Sequence, residues 1–326
     1  MLKVHFAESL TPEHLAELRS RLSPEVQVTT GPGLPVPADF DILVAFRPGR
    51  AEVAASPRLR ALIIPFTGVA EDVQKLMAQF PHVAVHNSHF PAAATAEMAV
   101  ALLLAAARRL PIADRGLRLG DWSMRGKPGS ATLLEGQTAL VLGYGAIGQR
   151  VARVCQALDM RVLATRRHGD HAAIQDGIAE VHPASDLKQL LPGANALVIA
   201  LPLTSETHGL IGAAELAMLP AGALLVNVGR GPIVDEAALY AALKSGTLGA
   251  AGLDVWYHYP PDEAPLATTF PSAYPLHELD NVVLSPHRGG MTNGGWARRL
   301  AQLAQMLNAA ARGEPMPNRV DVNAGY

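Results

Sequence analysis

The feature that most constrains this chain is Gly143-Tyr144-Gly145-Ala146-Ile147-Gly148, which follows the β-rich stretch Ala139–Leu142 directly and opens a helical pattern at Ile147. In that context Gly143 permits a tight turn, Gly145 lets backbone approach a pyrophosphate, and Gly148 lets a helix pack close to the strand. The helix start then offers the anion its unpaired N–H groups. A glycine-rich turn in isolation is also a common packing device, so the weight comes from position. At the end of the following strand, a dinucleotide-binding chain usually carries an acid that accepts from the adenosine ribose hydroxyls. This sequence places Thr165-Arg166-Arg167-His168 there instead. Two guanidiniums offer a 2′-phosphate forked, charge-assisted hydrogen bonds, whereas a carboxylate would repel it. The reading is NADP (NADPH) as preferred cofactor and NAD as the secondary one; the alternative is that both arginines are solvated and Asp170 reaches the ribose.

Around this loop the chain alternates β-rich and helical segments. Strand candidates Ile42–Phe46, Leu62–Ile64 and Val83–Val85 form a first series, with a helix starting at Thr11-Pro12-Glu13. Strand candidates from Ala139–Leu142 through Arg161–Ala164, Ala196–Ala200, Leu224–Val228 and Ala250–Leu253 to Val282–Leu284 form a second. Such alternation predicts parallel, doubly wound α/β sheets, and 326 residues suffice for two domains. Between the series, Ala92–Leu110 is almost continuously apolar, as suits a helix at a domain junction or subunit contact.

Asn227-Val228-Gly229-Arg230-Gly231 and Ser285-Pro286-His287-Arg288-Gly289-Gly290 each end a β-run, which in an open α/β sheet puts them at the carboxyl edge beside the cofactor. An arginine there can fork a substrate carboxylate, and a histidine can exchange a proton with an adjacent hydroxyl or carbonyl. Alone, Arg230 could equally be an ion-pair partner and His287 a hydrogen-bonded loop histidine.

They do not stand alone. Leu133-Leu134-Glu135-Gly136-Gln137-Thr138 leading into the glycine loop, Leu201-Pro202-Leu203-Thr204-Ser205-Glu206-Thr207, Leu224 to Asp235, Ala251-Gly252-Leu253-Asp254-Val255 and Asn281 to Gly290 occur in the order seen in one family. Thr95-Ala96-Glu97 with its helix, and weaker traces at Gly68-Val69 and Val320 to Tyr326, extend the match to nearly the whole chain. The sequence resembles the D-isomer-specific 2-hydroxyacid dehydrogenases, in particular the glyoxylate/hydroxypyruvate reductase type. The resemblance implies a Rossmann cofactor domain (98–290) inserted in a discontinuous, flavodoxin-like substrate domain (1–97 and 291–326). It implies that Arg230 binds the substrate carboxylate, that His287 is the general acid, and that Asp254 orients the nicotinamide amide. Thr67, Gly68 and Val69 would hold the other end of the carboxylate, while Leu201, Pro202, Thr207, Val228, Gly229, Gly289 and Gly290 would border the cofactor. It also implies a homodimer built through the segment Ala92 to Trp122.

One position departs from the family. Where a glutamate pairs with the histidine, five residues beyond the aspartate, this chain has Tyr259. A phenol can accept from an imidazole but supports its charge less than a carboxylate does, and Asp262 or Glu263 on the following proline-rich loop could substitute. The remaining expectations are exclusions. A net charge of −2 offers no basic face for nucleic acid. One cysteine, Cys155, allows no internal disulfide and fits a cytoplasmic protein. No stretch is long enough for a membrane helix, and the His86/His89 and His168/His171 pairs lack the partners of a metal site. Other readings of the same fold are a formate- or phosphite-type dehydrogenase and a non-catalytic, dinucleotide-sensing corepressor.

Overall fold

The computed structural model describes residues 1–126, 131–167, 174–175, 177–261, 266, 268–322 and 324–325. His168, Asp170, His171, Asp262 and Glu263 lie outside the described residues. The chain forms two compact units, residues 1–92 with 291–326, and residues 93–290. The second unit thus takes in a helix that the sequence reading divides at 97/98.

In the first unit the strands are β1 (Leu2–Phe6), β2 (Val26–Thr30), β3 (Ile42–Val44), β4 (Ala61–Ile64) and β5 (Ala84–Asn87), with helices α1 (Pro12–Arg21), α2 (Arg50–Ala55) and α3 (Glu71–Met77) between them. The Thr11 side chain caps α1 by accepting from the His14 N–H at 3.3 Å, and Pro12 occupies the first turn where no N–H is needed. The strands lie parallel in the order β2-β1-β3-β4-β5, the flavodoxin-like arrangement, and Arg319–Val320 from the returning segment adds an antiparallel edge. Alternation along the strands feeds two cores. Val4, Ile42 and Ile63 pack with Leu18 of α1 and with Leu300, Leu303 and Leu307 of the C-terminal helix Gly295–Ala311. Leu43, Leu62 and Ile64 pack with Val53, Val73 and Met77 of α2 and α3.

The second unit takes in all but the first residue of α4 (Ala92–Ala107), then α5 (Leu110–Arg118), and continues through β6 (Thr138–Leu142), α6 (Gly148–Ala157), β7 (Arg161–Arg166), β8 (Ile174–Gln175), β9 (Glu180–Pro183), α7 (Leu187–Leu190), β10 (Ala196–Ile199), α8 (Ala213–Met218), β11 (Ala223–Asn227), α9 (Glu236–Ser245), β12 (Leu248–Leu253) and β13 (Val282–Leu284). These form an 8-stranded sheet in the order β13-β12-β11-β10-β6-β7-β9-β8, parallel except for β8. Ala139 and Val141 of β6 pack on one face with α4 and α6, while Leu140 and Leu142 pack on the other with α8 and α9. Helix α4 lies so close to β12 that a Cβ on Gly252 would come within 2.7 Å of the Leu102 Cβ. The order of strands reverses between β6 and β10, and the crevice outside their carboxyl ends is where such a sheet takes its ligand. Among the described residues no helix is long and apolar enough to cross a membrane.

Candidate active site

The loop leaving β6 has the shape its glycines demand. Gly143 takes φ +94°, and its N–H and that of Tyr144 both donate to the Thr165 carbonyl, at 3.1 and 2.9 Å. A Cβ on Gly148 would sit 2.0 Å from the Gly143 carbonyl oxygen, so α6 can start here only with glycine. Gly145 differs, because a Cβ placed there would meet nothing within 4 Å. Open space over that backbone, next to the first turn of α6, fits a dinucleotide pyrophosphate. Ala146 and Ile147 complete the turn, with their carbonyls taken by Arg150 Nη1 at 2.6 Å and by the Val151 N–H at 3.1 Å.

At the end of β7, Thr165 is buried and Arg166 is exposed with no partner among the described residues. Arg167 meets Glu206 across the crevice edge, Nη2 to Oε2 at 2.6 Å. Glu206 belongs to the loop after β10, which is braced by hydroxyls: Thr207 Oγ1 donates to the Pro202 carbonyl at 2.7 Å and accepts from the Thr204 N–H at 2.8 Å. Leu201 of the same loop lies against the glycine turns, its carbonyl oxygen 2.6 Å from where a Gly229 Cβ would be.

Arg230 and His287 follow β11 and β13, and each is set by its neighbours. Asn227, buried at the end of β11, accepts from the Gly229 N–H at 3.0 Å and donates to the Arg230 carbonyl at 2.9 Å. This locks the turn through Val228, and Arg230 Nη1 donates to the Gly229 carbonyl at 2.7 Å. Asp254, 2% exposed after β12, does the same for the histidine loop. Its Oδ1 accepts from Ser285 Oγ at 2.5 Å and from the Arg288 N–H at 3.0 Å, and its Oδ2 accepts from the Gly289 N–H at 2.8 Å. Among the described residues one further acceptor position on Oδ2 has no donor. Trp256 Nε1 grips the Ser285 carbonyl from the other side at 2.8 Å. Between these anchors His287 is held at φ +52°, a left-handed conformation uncommon outside glycine.

Tyr259 lies beside His287 with ring centroids 5.4 Å apart and planes tilted 53°. Its hydroxyl accepts from the Trp256 N–H at 3.1 Å, so the two side chains meet ring to ring. Desolvation lowers the imidazole pKa below its ordinary value, and the Arg230 guanidinium adds to the drop while the Asp254 carboxylate opposes it. Burial raises the Tyr259 pKa, which keeps the phenol neutral. Burial also lowers the Arg230 pKa, although a guanidinium stays charged in proteins.

In the first unit, Thr67, Gly68 and Val69 lie just past the carboxyl end of β4. The Asn87 side chain donates to the Thr67 carbonyl at 2.7 Å and the Gln74 side chain to the Val69 carbonyl at 2.9 Å. The N–H groups of Gly68 and Val69 make no hydrogen bond among the described residues. The sequence reading missed Asn227, Ser285 and Trp256 as braces, and Glu206 as the partner of Arg167. All four stand inside or beside the motifs quoted, yet motif spacing carries no information on which neighbour a side chain turns toward.

An 8-stranded Rossmann sheet with an open glycine cradle at its switch point, and an arginine and a histidine at its carboxyl edge, has the features of a dinucleotide-binding protein. The family of the D-isomer specific 2-hydroxyacid dehydrogenase NAD-binding domain matches residues 100–289. A glyoxylate reductase of Thermococcus gammatolerans is 33% identical over 98% of this chain and 91% of its own length. A D-3-phosphoglycerate dehydrogenase of Archaeoglobus fulgidus is 39% identical over 70% of this chain, a match spanning 41% of that protein. A crystal structure of a D-isomer specific 2-hydroxyacid dehydrogenase from Xanthobacter autotrophicus Py2, in complex with NADPH and MES, superposes with a TM-score of 0.78 at 28% identity, covering 100% of this chain and 99% of that one. The chain belongs to the D-isomer-specific 2-hydroxyacid dehydrogenase family, and it is an NAD(P)-dependent 2-hydroxyacid oxidoreductase.

Proposed function

We propose that the protein reduces a small 2-oxo acid of the glyoxylate or hydroxypyruvate kind to the 2-hydroxy acid, with NADPH preferred to NADH. The observation that carries this reading is the pair Arg230 and His287, each fixed at the carboxyl edge of the sheet by a buried neighbour, Asn227 and Asp254. The nicotinamide, when bound, supplies or accepts the hydride. Arg230 pairs with the substrate carboxylate and its charge polarises the adjacent carbonyl. His287 gives its proton to the carbonyl oxygen as negative charge develops there. Asp254 keeps His287 in place through the 285–289 loop and offers its remaining acceptor position to the carboxamide that it would orient. In the first unit, the N–H groups of Gly68 and Val69, beside Thr67, make no hydrogen bond among the described residues and are proposed as donors to a carboxylate. The glycine loop takes the pyrophosphate, and exposed Arg166 with Arg167 takes the 2′-phosphate.

We further propose a cytoplasmic homodimer. Support for the dimer comes from α5 and the residues after it, where Leu110, Leu117, Leu119 and Trp122 are 58%, 51%, 83% and 65% exposed, an apolar surface of the kind that partners cover. A panel of 2-oxo acids assayed with NADPH and with NADH tests the reading. Turnover of glyoxylate or hydroxypyruvate at higher kcat/KM with NADPH is the expected result. Binding of NADPH without turnover of any 2-oxo acid would overturn it.

A further inference from the structure

Arg167, one of the residues assigned to the 2′-phosphate, already holds an anion of the protein itself. Its Nη2 lies 2.6 Å from Glu206 Oε2, with the arginine side chain 30% exposed and the glutamate 68%. The glutamate is not on a loose tether. Thr204 and Thr207 close the turn on either side of it, with Thr204 Oγ1 accepting from the Glu206 N–H at 3.3 Å and Thr207 Oγ1 tied back to the Pro202 carbonyl at 2.7 Å. The backbone therefore presents Glu206 to the end of β7 in a fixed position.

We propose that Glu206 is a specificity-determining residue that competes intramolecularly with the 2′-phosphate of the cofactor for Arg167, and so holds the selectivity for NADPH over NADH below what the two arginines could reach. The proposal rests on the reading of Arg166 and Arg167 as the phosphate site. A phosphate near neutrality carries close to two negative charges and a carboxylate one, so the phosphate wins the arginine, but it must displace Glu206 and then sit beside a like charge. An adenosine ribose that carries only hydroxyls does not ask for Arg167 and leaves the ion pair whole. The penalty thus falls on the phosphorylated cofactor alone. Because the pair is exposed, the penalty is modest, which suits a setting of selectivity and not an exclusion.

The experiment is equilibrium binding of NADPH, NADH, adenosine 2′,5′-bisphosphate and 5′-AMP to the full-length protein and to Glu206→Gln, read by fluorescence or calorimetry, with no turnover involved. The variant should bind NADPH and the bisphosphate about three- to fivefold more tightly, with NADH and 5′-AMP within about twofold of the parent. In Arg167→Gln and in the double variant Arg167→Gln/Glu206→Gln the gain should vanish, because nothing remains to compete for. Glu206→Ala, which leaves no amide to hydrogen bond to Arg167, guards against an effect peculiar to glutamine. Unchanged or weaker NADPH binding in both Glu206 variants, while Arg166→Asp still weakens NADPH, would overturn this inference alone and make Glu206 a support for Arg167. NADPH binding indifferent to Arg166→Asp and to Arg167→Gln would overturn the phosphate reading and this inference with it.

Discussion

The two ends of the cofactor crevice in the second unit are built on opposite plans. Around His287 and Arg230 the polar scaffold is buried and committed: Asp254 holds three donors of one loop, and Asn227 uses both ends of its amide on another. At the end of β7, Arg166 stands in solvent and Arg167 has its ion pair with Glu206 at a surface. Buried groups that lose a partner cost about 1–3 kcal/mol each, whereas exposed ion pairs are worth about 0–1 kcal/mol. On the proposed reading, the catalytic pair therefore stands on a buried scaffold, and cofactor choice lies where single substitutions retune it at small cost to stability.

The largest effects should come from the locked end. Arg230→Ala and His287→Ala are expected to lower kcat for 2-oxo acid reduction by about 10²–10⁴-fold while NADPH binding stays near that of the parent. Arg230→Ala should also raise KM, since it removes the proposed partner of the substrate carboxylate. Near-normal turnover in His287→Ala would break the comparison, because the loop braced by Asp254 and Trp256 would then present no group to the reaction.

A sharper measurement is the pH profile of kcat/KM. With His287 as the proposed general acid, reduction needs its imidazole protonated, and desolvation with the nearby Arg230 charge lowers its pKa. Reductive activity should accordingly fall as pH rises through a range below the ordinary imidazole value, and oxidation of the 2-hydroxy acid should rise through the same range. Tyr259→Glu places a carboxylate beside the ring and should move both limbs to higher pH; Tyr259→Phe should leave them nearly where they are. An unmoved profile in Tyr259→Glu together with collapse of activity in Glu263→Gln would assign the histidine's partner to the acidic loop.

At the exposed end, Arg166→Asp should weaken NADPH by about tenfold and leave NADH nearly unchanged, in line with the loss of one charge-assisted contact and the arrival of one repulsion. An equal loss for both cofactors, measured as Kd, would mean that β7 ends in a structural arginine.

Much of the glycine loop between the two ends could be read in the sequence, and the reason is steric. Gly143 and Gly148 have contacts that no other residue tolerates, so the motif is a direct record of the geometry. Strands β1, β2 and β9 were not legible. Lys3 and His5 interrupt β1, yet His5 is buried, with Nδ1 3.0 Å from Thr29 Oγ1 on β2. A polar pair satisfied between neighbouring strands looks in sequence like two solvated residues. β9 reads Glu180-Val181-His182-Pro183, and its outward Glu180 side chain pairs with Arg161 at 2.9 Å, which no local pattern announces. Glu206 was hidden for the same reason, since its partner lies 39 positions away. Side-chain pairing across loops is set by the completed fold.

The left-handed backbone at His287 has a consequence for how this position answers selection. For an ordinary side chain that conformation costs about 1–2 kcal/mol, and glycine adopts it freely. Screened for thermal stability alone, residue 287 should drift toward glycine, and His287→Gly should melt no lower than His287→Ala despite the greater freedom glycine has in the unfolded chain. A histidine kept there is a standing departure from the stability optimum of its own loop, so libraries evolved for heat resistance without an activity filter would discard the proposed proton donor among their first gains.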